Sequence, residues 1–315
     1  MTVKTLLTGV AALSLMSGIA NAQDRTVNVY NWSDYIDESI LEDFTKETGI
    51  KVVYDVFDSN EVLETKLLAG GTGYDVVVPT GTFLSRQIQA GAFTELDKSK
   101  LSNLSNMWKD IEERVEKYDP GNAYSINYMW GTTGIGYNVD KVKEALGDDA
   151  PVDSWDLLFK PENIEKLKDC GVFMLDAPAE MIPAALNYLG LDPDSKDRGD
   201  IEQAGELLKS IRPGIHALAN GDICVAVGWS GDVLQARDRA AEADNGVTVE
   251  YVIPKEGAQM WFDQMAIPAD APNMEEAHEF LNYIMRPDVM AKASNYVYYA
   301  NCNDASKELL NEDVL

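Results

Sequence analysis

The stretch TVNVYNWSDYIDESILEDFTKETGIKVVYDVFDSNEVLETKLLAGGTGYDVVVP, residues 26–79, decides the fold class, because runs of β-branched residues alternate in it with amphipathic segments. The runs that are typical of strands are residues 26–30, 51–57 and 75–79. Asp37 is placed to cap the first intervening helix and Gly49 to end it, while Asp58 and Glu61 give the second helix a capping-box-like start. This β-α-β-α-β order predicts a mainly parallel sheet with helices on both faces.

The same alternation returns in the second half of the chain. The predicted strands are residues 172–175, 223–228 and 247–253, and the predicted helices are residues 180–189, 201–210, 233–243 and 274–285, with another starting at Pro287. The glycine-rich segment 131–136 is a candidate crossing between the two halves. The chain is therefore expected to be an α/β protein built from two units.

The N-terminal segment has the pattern of a cleaved signal peptide. Lys4 precedes an apolar run over residues 6–19, and residues 20–22 (ANA) form an A-x-A cleavage site. The apolar run is shorter than the ~20 residues that a membrane-spanning helix needs. We expect cleavage after Ala22 and export of a soluble protein to the periplasm.

The 315-residue chain is strongly acidic, with 53 Asp and Glu residues against 26 Lys and Arg residues and a formal net charge of −27. Nucleic acid is excluded as a partner, because this charge repels phosphates and no basic stripe offsets it. Small cations are compatible with such a protein.

Side chains at the predicted strand ends are the candidate ligand contacts, since open α/β sheets bind ligands beyond the carboxyl ends of their strands. The segments at these strand ends are residues 32–35, Thr80, Asp176 with Glu180 and residues 229–232, and residues 261–263 follow the turn PKEGA. Tryptophans stand beside carboxylates in three of the segments, those that contain Trp32, Trp229 and Trp261. Ammonium groups are stabilised over Trp and Tyr faces, and a buried cation also needs carboxylates. The combination points to a small organic cation such as a diamine, with core packing of the tryptophans as the alternative. Trp108 and Trp155 also precede acids, and for them we predict packing roles.

No motif supports enzyme chemistry, a metal site or a cofactor. The sequence has no C-x-x-C pair, nucleophile elbow, P-loop or complete dinucleotide fingerprint. His216 and His278 lack metal-ligand spacing, and we predict that both lie at the surface. The acidic loop from Asp192 departs from a calcium loop at its sixth and twelfth positions.

The three cysteines leave two arrangements open. Cys170 and Cys224 could pair in an oxidising compartment and leave Cys302 odd, or all three could be unconnected thiols.

Eight long stretches carry a family resemblance. They are YNWSDYI from Tyr30, TGIKVVYDVFDSNEVLE from Thr48, YMWGTTGIGYNVDKVK from Tyr128, APVDSWDLL from Ala150, LDAP from Leu175, LANGDICVAVGWSGDV from Leu218, IPKEGA from Ile253 and FLNYIMRPDV from Phe280. Together they resemble the periplasmic polyamine-binding proteins of ABC transporters, within the bacterial extracellular solute-binding proteins, and are most similar to the putrescine-binding members. The resemblance covers nearly the whole chain from about residue 27 to Asn303.

The resemblance implies a type II periplasmic-binding-protein fold with two lobes, each a mainly parallel sheet flanked by helices, joined by two crossing strands as a hinge. The implied division is residues 1–22 as signal peptide, 23–131 plus 257–306 as lobe 1, and 132–256 plus 307–315 as lobe 2. Lobe 2 is expected to be shortened near residues 213–218 and at the C-terminus, where relatives continue.

The resemblance also implies a ligand set and a disulfide. The implied ligand contacts are Trp32, Ser33, Asp34, Tyr35, Thr80, Glu180, Trp229, Asp232, Trp261, Asp263 and Tyr299. Thr80 stands where the putrescine binders have serine, and Trp261 stands where they have phenylalanine. Cys170 and Cys224 match a disulfide of those proteins.

The expected function is capture of a polyamine, putrescine above all, and its delivery to an inner-membrane ABC permease complex by a monomeric protein that is not an enzyme. A polyamine sensor that presents its ligand to a membrane receptor is one alternative. A ferric-ion carrier that uses the adjacent Tyr298 and Tyr299 is another, although hard-cation ligation leaves the tryptophans unexplained.

Overall fold

The computed structural model describes residues 25–215, 223–244, 246–312 and 314. The signal peptide predicted at 1–22 and the cleavage site after Ala22 lie outside these residues. So do residues 216–218 of the segment predicted to be shortened, His216 among them. No helix in the described part of the chain is long and apolar enough to cross a membrane.

Strands and helices alternate along the described chain. The strands are β1 (Thr26–Trp32), β2 (Lys51–Phe57), β3 (Val76–Val77), β4 (Ser125–Asn138), β5 (Val172–Phe173), β6 (Val225–Trp229), β7 (Val249–Val252), β8 (Gln259–Ala266) and β9 (Ala300–Asn301). The α-helices are α1 (Glu38–Thr48), α2 (Asn60–Ala69), α3 (Gly81–Gln89), α4 (Lys109–Val115), α5 (Val139–Leu146), α6 (Asp156–Phe159), α7 (Pro161–Leu167), α8 (Pro178–Tyr188), α9 (Arg198–Ile211), α10 (Ser230–Glu242), α11 (Met274–Ile284) and α12 (Pro287–Val297). Short 3-10 helices span Lys98–Lys100, Ser102–Asn106, Pro120–Asn122, Lys168–Cys170, Arg212–Gly214 and Asp304–Leu309.

The N-terminal β-α-β-α-β unit is confirmed, and β1 pairs in parallel with both β2 and β3. Asp37 caps α1 through a 2.9 Å hydrogen bond from the Ser39 N–H, and Gly49 ends the helix with φ 73°. The capping box predicted for α2 is wrong by one residue: the Ser59 hydroxyl, and not Asp58, accepts the 3.3 Å bond from the Val62 N–H.

The sheet is mixed, and its strands follow the order β2-β1-β3-β8-β4-β6-β5, with β7 and β9 also bonded to β4. The outer pairs β1–β2, β1–β3 and β5–β6 are parallel, as the sequence predicts. The pairings of β4 and β8 are antiparallel. The prediction of parallel strands is therefore correct for the outer part of each lobe, whereas the central strands β4 and β8 are antiparallel to their neighbours.

Two groups of apolar cores define the two lobes. In lobe 1 the alternating side chains of β3 enter cores on both faces of the sheet: Val76 joins one core and Val77 the other. In lobe 2 a separate core forms around β5 and β6, with Trp155 completely buried in it.

The long strand β4 connects the lobes and changes partners on the way. It pairs with β8 as far as Thr133 and with β6 from Thr133 onward, which confirms the crossing predicted at residues 131–136. A Cβ atom on Gly134 would lie 2.5 Å from both the Tyr251 hydroxyl and the Val252 carbonyl oxygen, so glycine is needed where β7 presses against the crossing.

The C-terminal residues that the structure describes contact lobe 1. Asn295 of α12 donates a 3.0 Å bond to the Leu309 carbonyl and accepts a 2.8 Å bond from the Asn311 N–H. The predicted division assigned residues 307–315 to lobe 2. We propose instead that residues 304–312 belong to lobe 1, and we retain the other boundaries as proposals.

His278 is buried, so the prediction of a surface histidine is wrong. On α11 its Nδ1 lies 2.7 Å from the Met274 carbonyl oxygen, and its Nε2 accepts a 3.0 Å bond from the Asp97 N–H. Both ring nitrogens therefore have backbone partners in the core of lobe 1.

Cys170 and Cys224 form a disulfide in lobe 2, as the resemblance implies, and Cys302 is a buried free thiol in lobe 1. The bond joins residues 54 positions apart, between the 3-10 helix before β5 and the start of β6. A loop of that length restricts the unfolded chain considerably.

Replacing both Cys170 and Cys224 with alanine should lower the free energy of unfolding by about 2–4 kcal/mol, because the unfolded chain regains the entropy of the loop. Urea unfolding with and without a reducing agent measures this. The reducing agent should destabilise the wild type and leave the double variant unchanged. Equal stability of wild type and variant under oxidising conditions would contradict the prediction.

Candidate functional site

A cavity of about 300 Å³ opens between the two lobes, a size typical of small-molecule sites. It is lined by Trp32, Ser33, Tyr35, Asp58, Ser59, Asn60, Glu61, Thr80, Thr82, Phe83, Leu175, Asp176, Ala177, Ala179, Glu180, Trp229, Asp232, Gln259, Trp261, Asp263 and Tyr299. Most of these residues follow the carboxyl ends of β1, β2, β3, β5 and β6, which is where an open α/β sheet binds its ligand.

Asp263 of β8 is the most deeply buried carboxylate of the cavity, with 4% of the residue exposed. The Tyr35 hydroxyl donates a 2.9 Å bond to its Oδ2, and the Thr80 hydroxyl donates a 2.7 Å bond to its Oδ1. Asn60 fixes Thr80 by accepting from its backbone N–H at 3.0 Å and donating to its hydroxyl at 2.9 Å. Burial raises the pKa of Asp263 to about 7 despite the two hydroxyl donors.

Glu180, in the first turn of α8, supplies a carboxylate from lobe 2. The Trp229 indole N–H donates to both of its oxygens, at 2.9 and 3.1 Å, and the Thr133 hydroxyl donates a further bond. Burial raises the pKa of Glu180, and the nearby Glu61 carboxylate of lobe 1 adds to the rise. Acids of the two lobes therefore lie close enough to repel each other across the cavity.

Asp232 supplies a second carboxylate from lobe 2, in the first turn of α10. The Tyr299 hydroxyl donates a 2.9 Å bond to its Oδ1 and accepts a 3.2 Å bond from its backbone N–H. Asp232 is open to solvent at the cavity mouth, yet the surrounding walls raise its pKa by desolvation, and Asp34 raises it further.

Aromatic rings from both lobes form the walls. Trp32 of lobe 1 and Trp229 of lobe 2 meet edge to face with ring centroids 6.4 Å apart. On the other side Tyr299 contacts Tyr35 at 5.4 Å and Trp261 at 5.2 Å, again edge to face. Such walls suit the methylene chain and the ammonium groups of an organic cation.

The charges that line the cavity are all negative. Its acidic residues are Asp58, Glu61, Asp176, Glu180, Asp232 and Asp263, and none of the described lining residues is Lys, Arg or His. The groups that donate hydrogen bonds to the carboxylates of Asp263, Glu180 and Asp232 in the cavity are neutral hydroxyl and indole groups. No described side chain of the cavity therefore compensates the negative charge of the site.

The structure brings together ten of the eleven predicted ligand residues around this cavity. Asp34 is the exception: it is exposed, has a left-handed backbone (φ 52°), and is absent from the lining. Its predicted contact with the ligand stays a prediction.

The sequence reasoning missed the group that begins α2, among them Asp58, Asn60 and Glu61. A signal for them was present, since they follow the carboxyl end of β2, the strand beside β1. Gln259 was also missed, and it carries no comparable signal because it lies at the amino end of β8.

The adjacent tyrosines Tyr298 and Tyr299, which suggested a ferric-ion site, contact different residues. The Tyr299 hydroxyl donates to Asp232, whereas Tyr298 lies outside the cavity, where it lowers the pKa of Asp238. No group of three or more His, Cys, Asp and Glu side chains able to hold a metal ion occurs in the described residues. The geometry thus gives the ferric alternative no support.

The family described as "Bacterial extracellular solute-binding protein" matches residues 39–314. The chain belongs to this family. Among its relatives is the putrescine-binding periplasmic protein PotF of Escherichia coli (strain K12), 55% identical over 324 residues that cover 99% of this chain and 88% of the relative. The putrescine-binding periplasmic protein SpuD of Pseudomonas aeruginosa (strain UCBPP-PA14) is 57% identical over 321 residues, covering 99% and 87%.

Solved structures support the two-lobed solute-binding fold. A putative spermidine/putrescine ABC transporter protein from Listeria monocytogenes superposes with a TM-score of 0.79 at 35% identity, covering 92% of this chain and 87% of that one. The substrate-binding protein PotD of Streptococcus pneumoniae, a spermidine/putrescine ABC transporter component, superposes with a TM-score of 0.74 at 32% identity, with the same coverage.

Asp263→Asn should stabilise the ligand-free protein in a pH-dependent way. The folded-state pKa is raised from 3.8 to about 7, so the stability this group contributes is present below pH 3.8 and lost as the pH rises through 7. At pH 8 the variant should be more stable than the wild type by roughly 2–4 kcal/mol, at ~1.4 kcal/mol per pKa unit, and the difference should shrink at pH 5. Urea unfolding at both pH values measures this.

The matched control is Asp110→Asn, an exposed acid on α4 away from the cavity, which should change stability little and equally at both pH values. A difference between wild type and Asp263→Asn that does not vary with pH would show that the carboxyl is not titrating in this range.

Proposed function

We propose that this protein is an extracytoplasmic solute-binding protein that captures a polyamine, putrescine foremost, and delivers it to an ABC permease complex. The observation that carries the proposal is the cavity lined by six carboxylates and aromatic walls, with no cationic side chain among its described lining residues. High identity to two putrescine-binding proteins over nearly the whole chain supports the same ligand.

In this proposal the two lobes share the ligand. Asp263 of lobe 1 binds one ammonium group, while Asp232 and Glu180 of lobe 2 bind the other. Trp229, Trp261 and Tyr299 enclose the four-carbon chain, with Trp32, Ser33, Tyr35 and Thr80 completing the lobe 1 side. Closure is favourable because only the closed form lets carboxylates of both lobes contact one dication.

The neutral donors have a positioning role in the same proposal. Tyr35 and Thr80 each hold one oxygen of Asp263, and Trp229 holds both oxygens of Glu180. Both oxygens of Asp263 and the Oε1 of Glu180 each accept one of these bonds and retain an acceptor site for an ammonium N–H, since an ionised carboxylate accepts about four hydrogen bonds. The carboxylates are thereby oriented before the ligand arrives, and little side-chain entropy is lost on binding.

The location and the role of the protein are part of the proposal. Residues 1–22 direct export, the protein acts in the periplasm as a monomer, and binding leads to transport without chemical change of the ligand. The relatives in E. coli and P. aeruginosa are described as periplasmic, which supports this location.

Calorimetric titration with putrescine tests the proposal, and the expected result is saturable one-to-one binding. Asp263→Asn and Asp232→Asn should each weaken binding by roughly 2–5 kcal/mol, or about 30-fold and more, because one partner of a desolvated charge pair is removed. Asp110→Asn, which makes the same change of charge outside the cavity, should bind as the wild type does.

Titration with 1,4-butanediol, which has the same chain length and no charge, separates charge recognition from shape. It should give no measurable heat of binding. Absence of putrescine binding by folded wild-type protein, or unchanged affinity in both cavity variants, would refute the proposed function.

A further inference from the structure

A second contact between the lobes lies beside the ligand cavity. One face of α10 in lobe 2 meets the end of α12 in lobe 1, and we name this contact the α10–α12 clasp. Its residues are Gly231, Asp232, Gln235 and Asp238 on α10, together with Val297, the last residue of α12, and Tyr298 and Tyr299, which follow it. On α10, Asp232, Gln235 and Asp238 follow one another at intervals of three residues, and Gly231 precedes Gln235 by four, so these residues lie on one side of the helix.

The clasp contains hydrogen bonds that do not involve the ligand cavity. The Gln235 side-chain amide donates a 3.1 Å bond to the Val297 carbonyl oxygen, the last of α12. Arg239 holds the other end of that amide by donating a 3.3 Å bond to its oxygen. The Tyr298 hydroxyl acts on Asp238 across the contact and lowers the pKa of that carboxyl, and Arg237 contacts Asp238 at 3.1 Å. Gln235, Asp238 and Tyr298 are all absent from the cavity lining.

Close packing accompanies these bonds. A Cβ atom on Gly231 would come within 2.6 Å of three ring atoms of Tyr299, so only glycine lets the first turn of α10 approach the ring this closely. Two residues of lobe 2 therefore contact Tyr299 in different ways. Gly231 packs against its ring, and Asp232 accepts a hydrogen bond from its hydroxyl.

The backbone of Tyr298 links the clasp to the cavity. Tyr298 ends α12 in the left-handed conformation, with φ 58° and ψ 23°, and its N–H bonds the Ser294 carbonyl oxygen at 2.8 Å. This conformation is unfavourable for a residue with a side chain, and it turns the chain so that the next residue, Tyr299, enters the cavity. Tyr298, which acts on Asp238 of lobe 2, is therefore the residue whose backbone conformation directs Tyr299 into the cavity.

We propose that the α10–α12 clasp holds the lobes in the closed arrangement without ligand, and that Gln235 and Tyr298 thereby raise the affinity for ligand from outside the cavity. They are positioning residues, since they act through the lobe arrangement and through Tyr299. The effect on affinity rests on the proposed function, whereas the effect on the closed arrangement does not.

The effect on ligand affinity follows from the fraction of ligand-free molecules that are closed. The apparent dissociation constant equals the intrinsic constant divided by the fraction of molecules in the binding-competent closed form. Losing one hydrogen bond of the clasp should lower the closed fraction and weaken binding by about 3- to 10-fold, with most of the change in the dissociation rate.

The test compares Tyr298→Phe and Gln235→Leu with the wild type, using the purified protein. Tyr298→Phe removes only the hydroxyl and keeps the conformational demand at the end of α12. Tyr296→Phe is the matched control, because it removes a hydroxyl from a tyrosine of the same helix that is 50% exposed. Thermal unfolding of each variant shows that the fold is kept.

Small-angle X-ray scattering of the ligand-free proteins reads the lobe arrangement directly. Both clasp variants should have a larger radius of gyration than the wild type and Tyr296→Phe, and putrescine should restore the wild-type value. Putrescine titrations should then show the 3- to 10-fold loss of affinity in the clasp variants alone.

Two results would overturn the proposal. One is a ligand-free radius of gyration that is the same in the wild type and both clasp variants. The other is a putrescine affinity unchanged in both clasp variants. If the wild type does not bind putrescine at all, the proposed function fails, and the scattering comparison still decides whether the clasp exists.

Discussion

The constraint on which this structure depends is the negative charge of the cavity, which none of the described lining side chains neutralises. Asp263 and Glu180 are withdrawn from water between the lobes, and their partners there are neutral hydroxyl and indole groups. Neutral donors satisfy the lone pairs of a carboxylate but do not neutralise its charge. Burying a charge without a counter-ion costs free energy. The ligand-free site is thus electrostatically incomplete, and a cation of matching length completes it.

The fold places these charges on two lobes, and strand β4 crosses from one to the other. Strand β4 passes from the partners of lobe 1 to the partners of lobe 2 at Thr133, and that residue also donates to Glu180. The hinge and the site therefore share a residue. A ligand that contacts carboxylates on both sides gains its full interaction only after closure, so charge recognition and lobe movement are one process.

Much of the fold could be predicted because its signals are local. The caps of α1, the boundaries of β2 and the first helical position of Pro287 depend on residues that are neighbours in the chain. The reversed direction of the central strands and the burial of His278 depend on contacts between distant segments. A single sequence without pairing information contains no direct record of those contacts.

The site was predictable to the extent that strand ends could be located. Trp32 and Trp155 both have acids just downstream, yet Trp32 follows from β1 into the cavity, whereas Trp155 is fully buried and donates to the Gly257 carbonyl. Position at a strand end therefore distinguishes the cavity tryptophan from the core tryptophan, whereas proximity to an acid does not. The clasp between α10 and α12 has no sequence signature, since it arises only when the lobes meet.

The most direct measurement of the central claim is the number of protons released when putrescine binds, obtained by calorimetry in buffers of different ionisation enthalpy. Near pH 7 a part of the Asp263 carboxyl is protonated, because its pKa is raised to about 7, and a bound ammonium group lowers that pKa. The account predicts net proton release that increases as the pH is lowered from 8 to 6 and is greatly reduced in Asp263→Asn. Binding with no proton release, or with proton uptake, across this range would contradict it.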